Sequence, residues 1–97
     1  MLREVITHLD DVIKFSSSNP YAHYDKGFIY MEMGDYTSAI SSYTKSLELK
    51  PDFAQAYYNR GLLYLRMGNK DKGVSDLSKA GELGILPSYN VIKRMNN

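Results

Sequence analysis

The sequence predicts an all-α fold built of antiparallel helix pairs stacked side by side. Three observations predict it. The chain is similar to itself at an interval of 34 residues, a glycine closes a helical stretch at the same place in each copy, and apolar residues between those marks recur at helical spacing. Sliding the chain by 34 lays Pro20–Phe53 over Ala54–Pro87. Ten positions are then identical: Ala22/Ala56, Tyr24/Tyr58, Gly27/Gly61, Tyr30/Tyr64, Met33/Met67, Gly34/Gly68, Ser41/Ser75, Lys45/Lys79, Glu48/Glu82 and Leu49/Leu83. Average composition would give about two by chance, so the repeat is real.

Each copy reads as two helices. The first runs from Tyr21 to Met33 and from Ala54 to Met67, opening at Asn19-Pro20 and at Pro51-Asp52, where a capping side chain and a proline suit a first turn. Gly34 and Gly68 end these helices, because glycine accepts the left-handed backbone that follows a helix. Asp35 and Asn69 then cap the second helices, which leaves a very tight turn between antiparallel neighbours. The second helices run to Leu49 and Leu83, stopped by Pro51 and by Gly84 with Pro87 beyond. The frame also extends outward. Subtracting 34 from Ala39, Ile40, Tyr43, Leu47 and Leu49 gives Val5, Ile6, Leu9, Ile13 and Phe15, so residues 2–16 read as the second helix of an earlier unit. Adding 34 to Tyr57 and Tyr58 gives Val91 and Ile92, and residues 88–95 read as one more first helix. The expected organisation is one domain over 1–97: a half-repeat helix at 2–16, repeats at 20–53 and 54–87, and a C-terminal helix at 88–95.

The stretch Ala56-Tyr57-Tyr58-Asn59-Arg60-Gly61-Leu62-Leu63-Tyr64 resembles the first helix of the tetratricopeptide repeat (TPR) family. Gly27, Tyr30, Ala39, Tyr43 and Pro51 fall on signature places of the earlier copy, and Leu77 and Ala80 on those of the later. Tyr57 stands where the family often has tryptophan. Arg60 departs from its usual leucine, His23 and Lys26 depart in the earlier copy, and Gly73 replaces an alanine. The resemblance implies a right-handed superhelical stack, a solenoid, in which Gly27 and Gly61 allow close helix approach and Ala39 and Gly73 face that contact. Gly73 and Gly81 are expected to weaken the later second helix, by about 1 kcal/mol each relative to alanine.

Composition narrows the function. A net charge of +1 gives no field for phosphate backbones or anionic lipids, which argues against nucleic-acid and membrane-surface binding. There is no cysteine, and no apolar run approaches the length of about 18 residues that a membrane span needs. Met1-Leu2-Arg3-Glu4 lacks the basic-then-apolar build of a secretory signal, and a soluble, cytoplasmic protein is the expectation. Catalysis needs convergent groups, and few exist. His8 and His23 have no metal-ligand spacing and read as surface or packing residues; Asp10 and Asp11 lie on different helical faces; Ser16-Ser17-Ser18 reads as a loop. No enzyme activity, cofactor or metal is expected.

Binding has more support. In the family, the first helices line a concave surface that receives peptides or partner helices. The resemblance assigns that groove to Tyr21, Tyr24, Asp25, Phe28 and Glu32 on one helix, and to Gln55, Tyr58, Asn59, Leu62 and Arg66 on the next. Tyr89, Ile92 and Lys93 would continue it. The nine tyrosines divide on this reading: Tyr30, Tyr43, Tyr57 and Tyr64 belong to the core, while Tyr21, Tyr24 and Tyr58 are candidates for contact, offering large area with a polar tip. One subclass of the family grips the C-terminal carboxylate of heat-shock chaperones with lysine, asparagine and arginine on successive first helices. Asn59 and Lys93 fit that clamp, but Tyr21 and Asp25 stand where lysine and asparagine are wanted, so no such grip is expected. The leading expectation is a scaffold binding a peptide or helix of another protein. The alternatives are self-association or a section of a longer solenoid, and, behind both, RNA binding.

Overall fold

The computed structural model describes residues 3–7, 10 and 17–95, and the chain falls into two compact units, 1–51 and 52–97. Among the described residues every regular element is helical.

In the first unit, residues 3–7 and 10 are helical, with Ile6 buried as its place in the frame requires; His8, Leu9, Asp11, Ile13, Phe15 and Ser16 lie outside the described residues. Ser17 and Ser18 form a turn. Helix α1 spans Pro20–Glu32 and helix α2 spans Tyr36–Leu49. Asn19 caps α1 by accepting a hydrogen bond from the Tyr21 N–H, and Pro20 occupies the first turn, where a missing N–H costs nothing. At the other end the Gly34 N–H donates to the Met31 carbonyl and the Asp35 N–H to the Tyr30 carbonyl, each at 3.0 Å. This is a Schellman turn, and Gly34 sits at its left-handed position with φ +81°. Asp35 then caps α2 through the Ser38 N–H. Three residues therefore reverse the chain and send α2 back along α1. The pair is sealed where Gly27 meets the ring of Tyr43, which is fully buried with Ala39. Farther along, the buried Ser46 hydroxyl donates to the Pro20 carbonyl at 2.8 Å, tying the end of α2 to the start of α1.

The second unit repeats the plan with helix α3 at Ala54–Arg66, helix α4 at Lys70–Glu82 and helix α5 at Pro87–Met95. Gly68 (φ +83°) and Gly84 (φ +110°) close α3 and α4 with the same paired hydrogen bonds as Gly34, and Asn69 caps α4 through the Lys72 N–H. The start of α3 differs from the expectation. Pro51 and Asp52 form a turn ahead of the helix, and the N-cap is Phe53, whose side chain makes no capping hydrogen bond. Phe53 is buried, so an apolar anchor holds the start of α3. Gly61 and Gly73 face each other across α3 and α4 so closely that a Cβ on either would stand 3.1 Å from the other's carbonyl oxygen. Leu63, Leu77 and Ala80 complete the core of this unit, and α5 packs on α4.

Candidate functional site

Helix α1 shows four exposed residues: Tyr21, Asp25, Phe28 and Glu32. All four belong to the groove set read from the sequence. Their spacing of four, three and four residues places them in one file, because side chains three or four apart lie on the same side of a helix. The opposite side is fixed by Ala22 and Gly27, which are buried toward α2. Tyr21 is 55% exposed and Phe28 is 41% exposed, on a helix whose remaining aromatics, Tyr24 and Tyr30, are half-buried. Tyr24 turns inward instead, its ring centroid 5.5 Å from that of Tyr43.

The same file on α3, thirty-four residues on, is Gln55, Asn59, Leu62 and Arg66. Gln55 and Arg66 are exposed, while Asn59, Leu62 and Tyr58 are half-buried. On α5, Lys93 is exposed and Ile92 half-buried. Tyr89 is 46% exposed but is committed to packing on one side: its ring lies on Gly81 of α4, where a Cβ would stand 2.5 Å from Cζ.

The core tyrosines divide unevenly. Tyr43 is fully buried, but Tyr30, Tyr57 and Tyr64 are half-buried and covered by cations. Lys26 lies 5.7 Å above the Tyr30 ring; Arg60 lies 5.7 Å from Tyr57 and 5.8 Å from Tyr64; Lys72 lies 5.5 Å from Tyr64. Both cations that depart from the family pattern find carboxylates. Lys26 pairs with Asp10 at 2.5 Å. Arg60 donates from Nε to Asp76 Oδ2 at 2.7 Å and from Nη2 to Oδ1 at 2.8 Å, with the side chains only 17% and 8% exposed. These hydrogen bonds hold the Arg60 guanidinium above its ordinary pKa, against the desolvation that works the other way. An open recess beside the pair, lined by Ser75, Ser78, Lys79 and Glu82, is polar; within it Arg60 is matched by Asp76, and Lys79 by Glu82 at 3.8 Å. The arrangement neutralises charge within the recess.

The Arg60–Asp76 pair was missed in the sequence. Its signal was there, since Asp76 lies on the stripe of α4 that also buries Gly73, Leu77 and Ala80. A carboxylate on a buried stripe requires a cation. His23 takes a structural role, its Nε2 standing 3.0 Å from the Ser17 carbonyl oxygen, to which it donates. Among the described residues no group of three or more histidine, aspartate and glutamate side chains is placed to hold a metal, and no helix is long and apolar enough to cross a membrane.

A model described as TPR repeat matches residues 27–68, and one described as tetratricopeptide repeat matches residues 54–83. The chain belongs to the tetratricopeptide repeat family. Its solved relatives agree. The crystal structure of MamA superposes with a TM-score of 0.82 at 33% identity, covering 84% of this chain and 48% of that one. MamA from Desulfovibrio magneticus RS-1 gives 0.80 at 18% identity over 84% of this chain and 46% of that one. YrrB, a TPR protein with an unusual peptide-binding site, gives 0.85 at 21% identity over 95% of this chain and 48% of that one. The last two show the fold alone. The chain spans about half the length of the structures it matches. No curated protein matches it by sequence. TPR solenoids are interaction scaffolds rather than catalysts, and the all-α fold of helix pairs read from the repeat is the fold of this family.

Proposed function

We propose that this chain is a scaffold whose first helices receive a peptide or helical segment of another protein. One observation carries the reading: Tyr21 and Phe28 stand exposed in a single file on α1, flanked by Asp25 and Glu32, on a helix whose other side is committed to α2. Aromatic side chains with a wet rim are the usual energetic anchors of protein interfaces. On α3 the contact set is Gln55, Asn59, Leu62 and Arg66 with Tyr58 beside it, and on α5 it is Lys93 with the outer side of Tyr89. Tyr24 contributes by holding the backbone of α1 against Tyr43 rather than by touching the partner. YrrB, a protein of the same fold, is a TPR protein with an unusual peptide-binding site, so the fold can accept a peptide.

Photo-crosslinking tests the assignment. A crosslinkable residue at Phe28 or Leu62 is expected to capture a distinct protein from the host lysate, whereas the same residue at Ser41 or Ser75, exposed on the second helices, captures none. Equal capture from both sets, or capture from the second helices alone, removes the first helices from the site.

A further inference from the structure

The exposed file on α1 has a chemical pattern that the other first helix of a full repeat lacks. Read along the helix it is Tyr21, Asp25, Phe28, Glu32: aromatic, acid, aromatic, acid. The two aromatics recur seven residues apart, and so do the two acids, the interval at which each position of a helix seam repeats. Asp25 and Glu32 occupy one of the two alternating seam positions and Tyr21 and Phe28 the other. On α3 the corresponding residues are Gln55, Asn59, Leu62 and Arg66, which repeat the spacing without an acid. No cation lies in the α1 file to answer its two carboxylates; Lys26, the basic side chain of this helix, is half-buried and engaged with Asp10 and the Tyr30 ring.

Resting on the reading that first helices receive the partner, we propose that the occupant of α1 is an amphipathic helix with lysine or arginine at one seam position and an apolar residue at the other. Charge and length both select it. Asp25 and Glu32 are seven residues apart, about 10 Å along the axis. A facing helix meets that interval with two cations seven residues apart and an apolar residue three or four positions from each. An extended strand covers the same interval in three residues at about 3.3 Å each, and an odd number of steps turns its two cations to opposite faces. A strand therefore engages one carboxylate and a helix both.

The experiment uses the whole chain and three labelled synthetic helices of three heptads, read by fluorescence anisotropy. One carries lysine at every first seam position and leucine at every second; another carries glutamate in place of lysine; the third has the lysine peptide's composition with the order scrambled off the seam. The lysine peptide is expected to bind about tenfold more tightly than the glutamate peptide, as two ion pairs at a partly screened surface would give, and more tightly than the scrambled one. The double substitution Asp25→Lys and Glu32→Lys is expected to reverse the order of the first two. Equal affinities, no binding of the lysine peptide, or an order unchanged by the double substitution overturns the inference. If Phe28→Asp abolishes binding of peptides that show no charge preference, the first-helix face survives and the basic partner falls. If crosslinking at Phe28 captures no more than at Ser41, the broader reading falls instead.

Discussion

Arg60 on α3 and Asp76 on α4 neutralise each other inside a helix pair, through a two-pronged contact at a place where the family resemblance calls for leucine. The exchange is costly to break and less costly to replace. Asp76→Ala removes the two carboxylate acceptors of a mostly buried guanidinium, and the loss is expected to be about 2–3 kcal/mol, somewhat under the range for a fully buried pair because Arg60 keeps some contact with water. Adding Arg60→Leu removes the charge that has lost its carboxylate and supplies apolar volume, so the double variant is expected to unfold at a higher urea concentration than Asp76→Ala alone. Losses that simply add would show that the two side chains act independently.

The turn glycines give a second prediction. Gly34 and Gly68 sit at positive φ with nothing within 4 Å of a hypothetical Cβ, so a side chain there meets strain from its own backbone and no clash. Alanine at either position is expected to cost about 1–2 kcal/mol, and asparagine, which tolerates the left-handed region better, to cost less. Thermal unfolding of the four variants measures this. Alanine and asparagine costing the same would mean that the hydrogen bonds of the turn, rather than its backbone angle, set the penalty.

How much was legible follows from where the information sits. Gly34, Asp35, Gly68 and Asn69 act on residues three to five positions away, and local chemistry of that kind is readable from one sequence. Ala39, Tyr43 and Leu77 were readable because the repeat superposes them on a known core pattern. The solutions particular to one copy were not. Ser46 stands where the other copy has Ala80, and its hydroxyl is satisfied only because α2 ends beside the Pro20 carbonyl, twenty-six residues back. Lys26 and Arg60 occupy equivalent places but answer to Asp10 and Asp76, which are not equivalent, so the repeat that revealed the fold concealed the partners. In the candidate site, spacing placed Tyr21, Asp25, Phe28 and Glu32 on one face. It could not tell that Tyr24, one step round the helix, turns inward onto Tyr43.

Ser88 is fully buried in the first turn of α5, and its hydroxyl has no hydrogen-bond partner among the described residues. The equivalent residue of the preceding copy is Ala54. Ser88→Ala deletes the unsatisfied group with almost no change in shape and is expected to stabilise the chain by about 1 kcal/mol. A lower unfolding midpoint in Ser88→Ala would reveal that the hydroxyl is bonded in solution.

Gly81 and Gly27 separate two effects that a sequence cannot distinguish, helix propensity and steric fit. Replacing a mid-helix glycine by alanine ordinarily stabilises by about 1 kcal/mol. At Gly27 the added Cβ would stand 2.9 Å from the ring of Tyr43, which is fully enclosed and cannot retreat, so alanine is expected to destabilise by about 1–3 kcal/mol. At Gly81 the obstruction is the far end of the Tyr89 ring, 2.5 Å away but open to solvent on its other side. The ring can swing off, giving up the packing that joins α5 to α4, and the propensity gain is then largely cancelled. Removing the ring first should restore it: in a Tyr89→Ala background, Gly81→Ala is expected to raise stability by about 1 kcal/mol, and by clearly less when Tyr89 is present. The difference between the two backgrounds measures how firmly Tyr89 holds α5 in place. If Gly81→Ala has the same effect in both, Tyr89 does not rest on α4 in solution, and its whole ring is open to a partner.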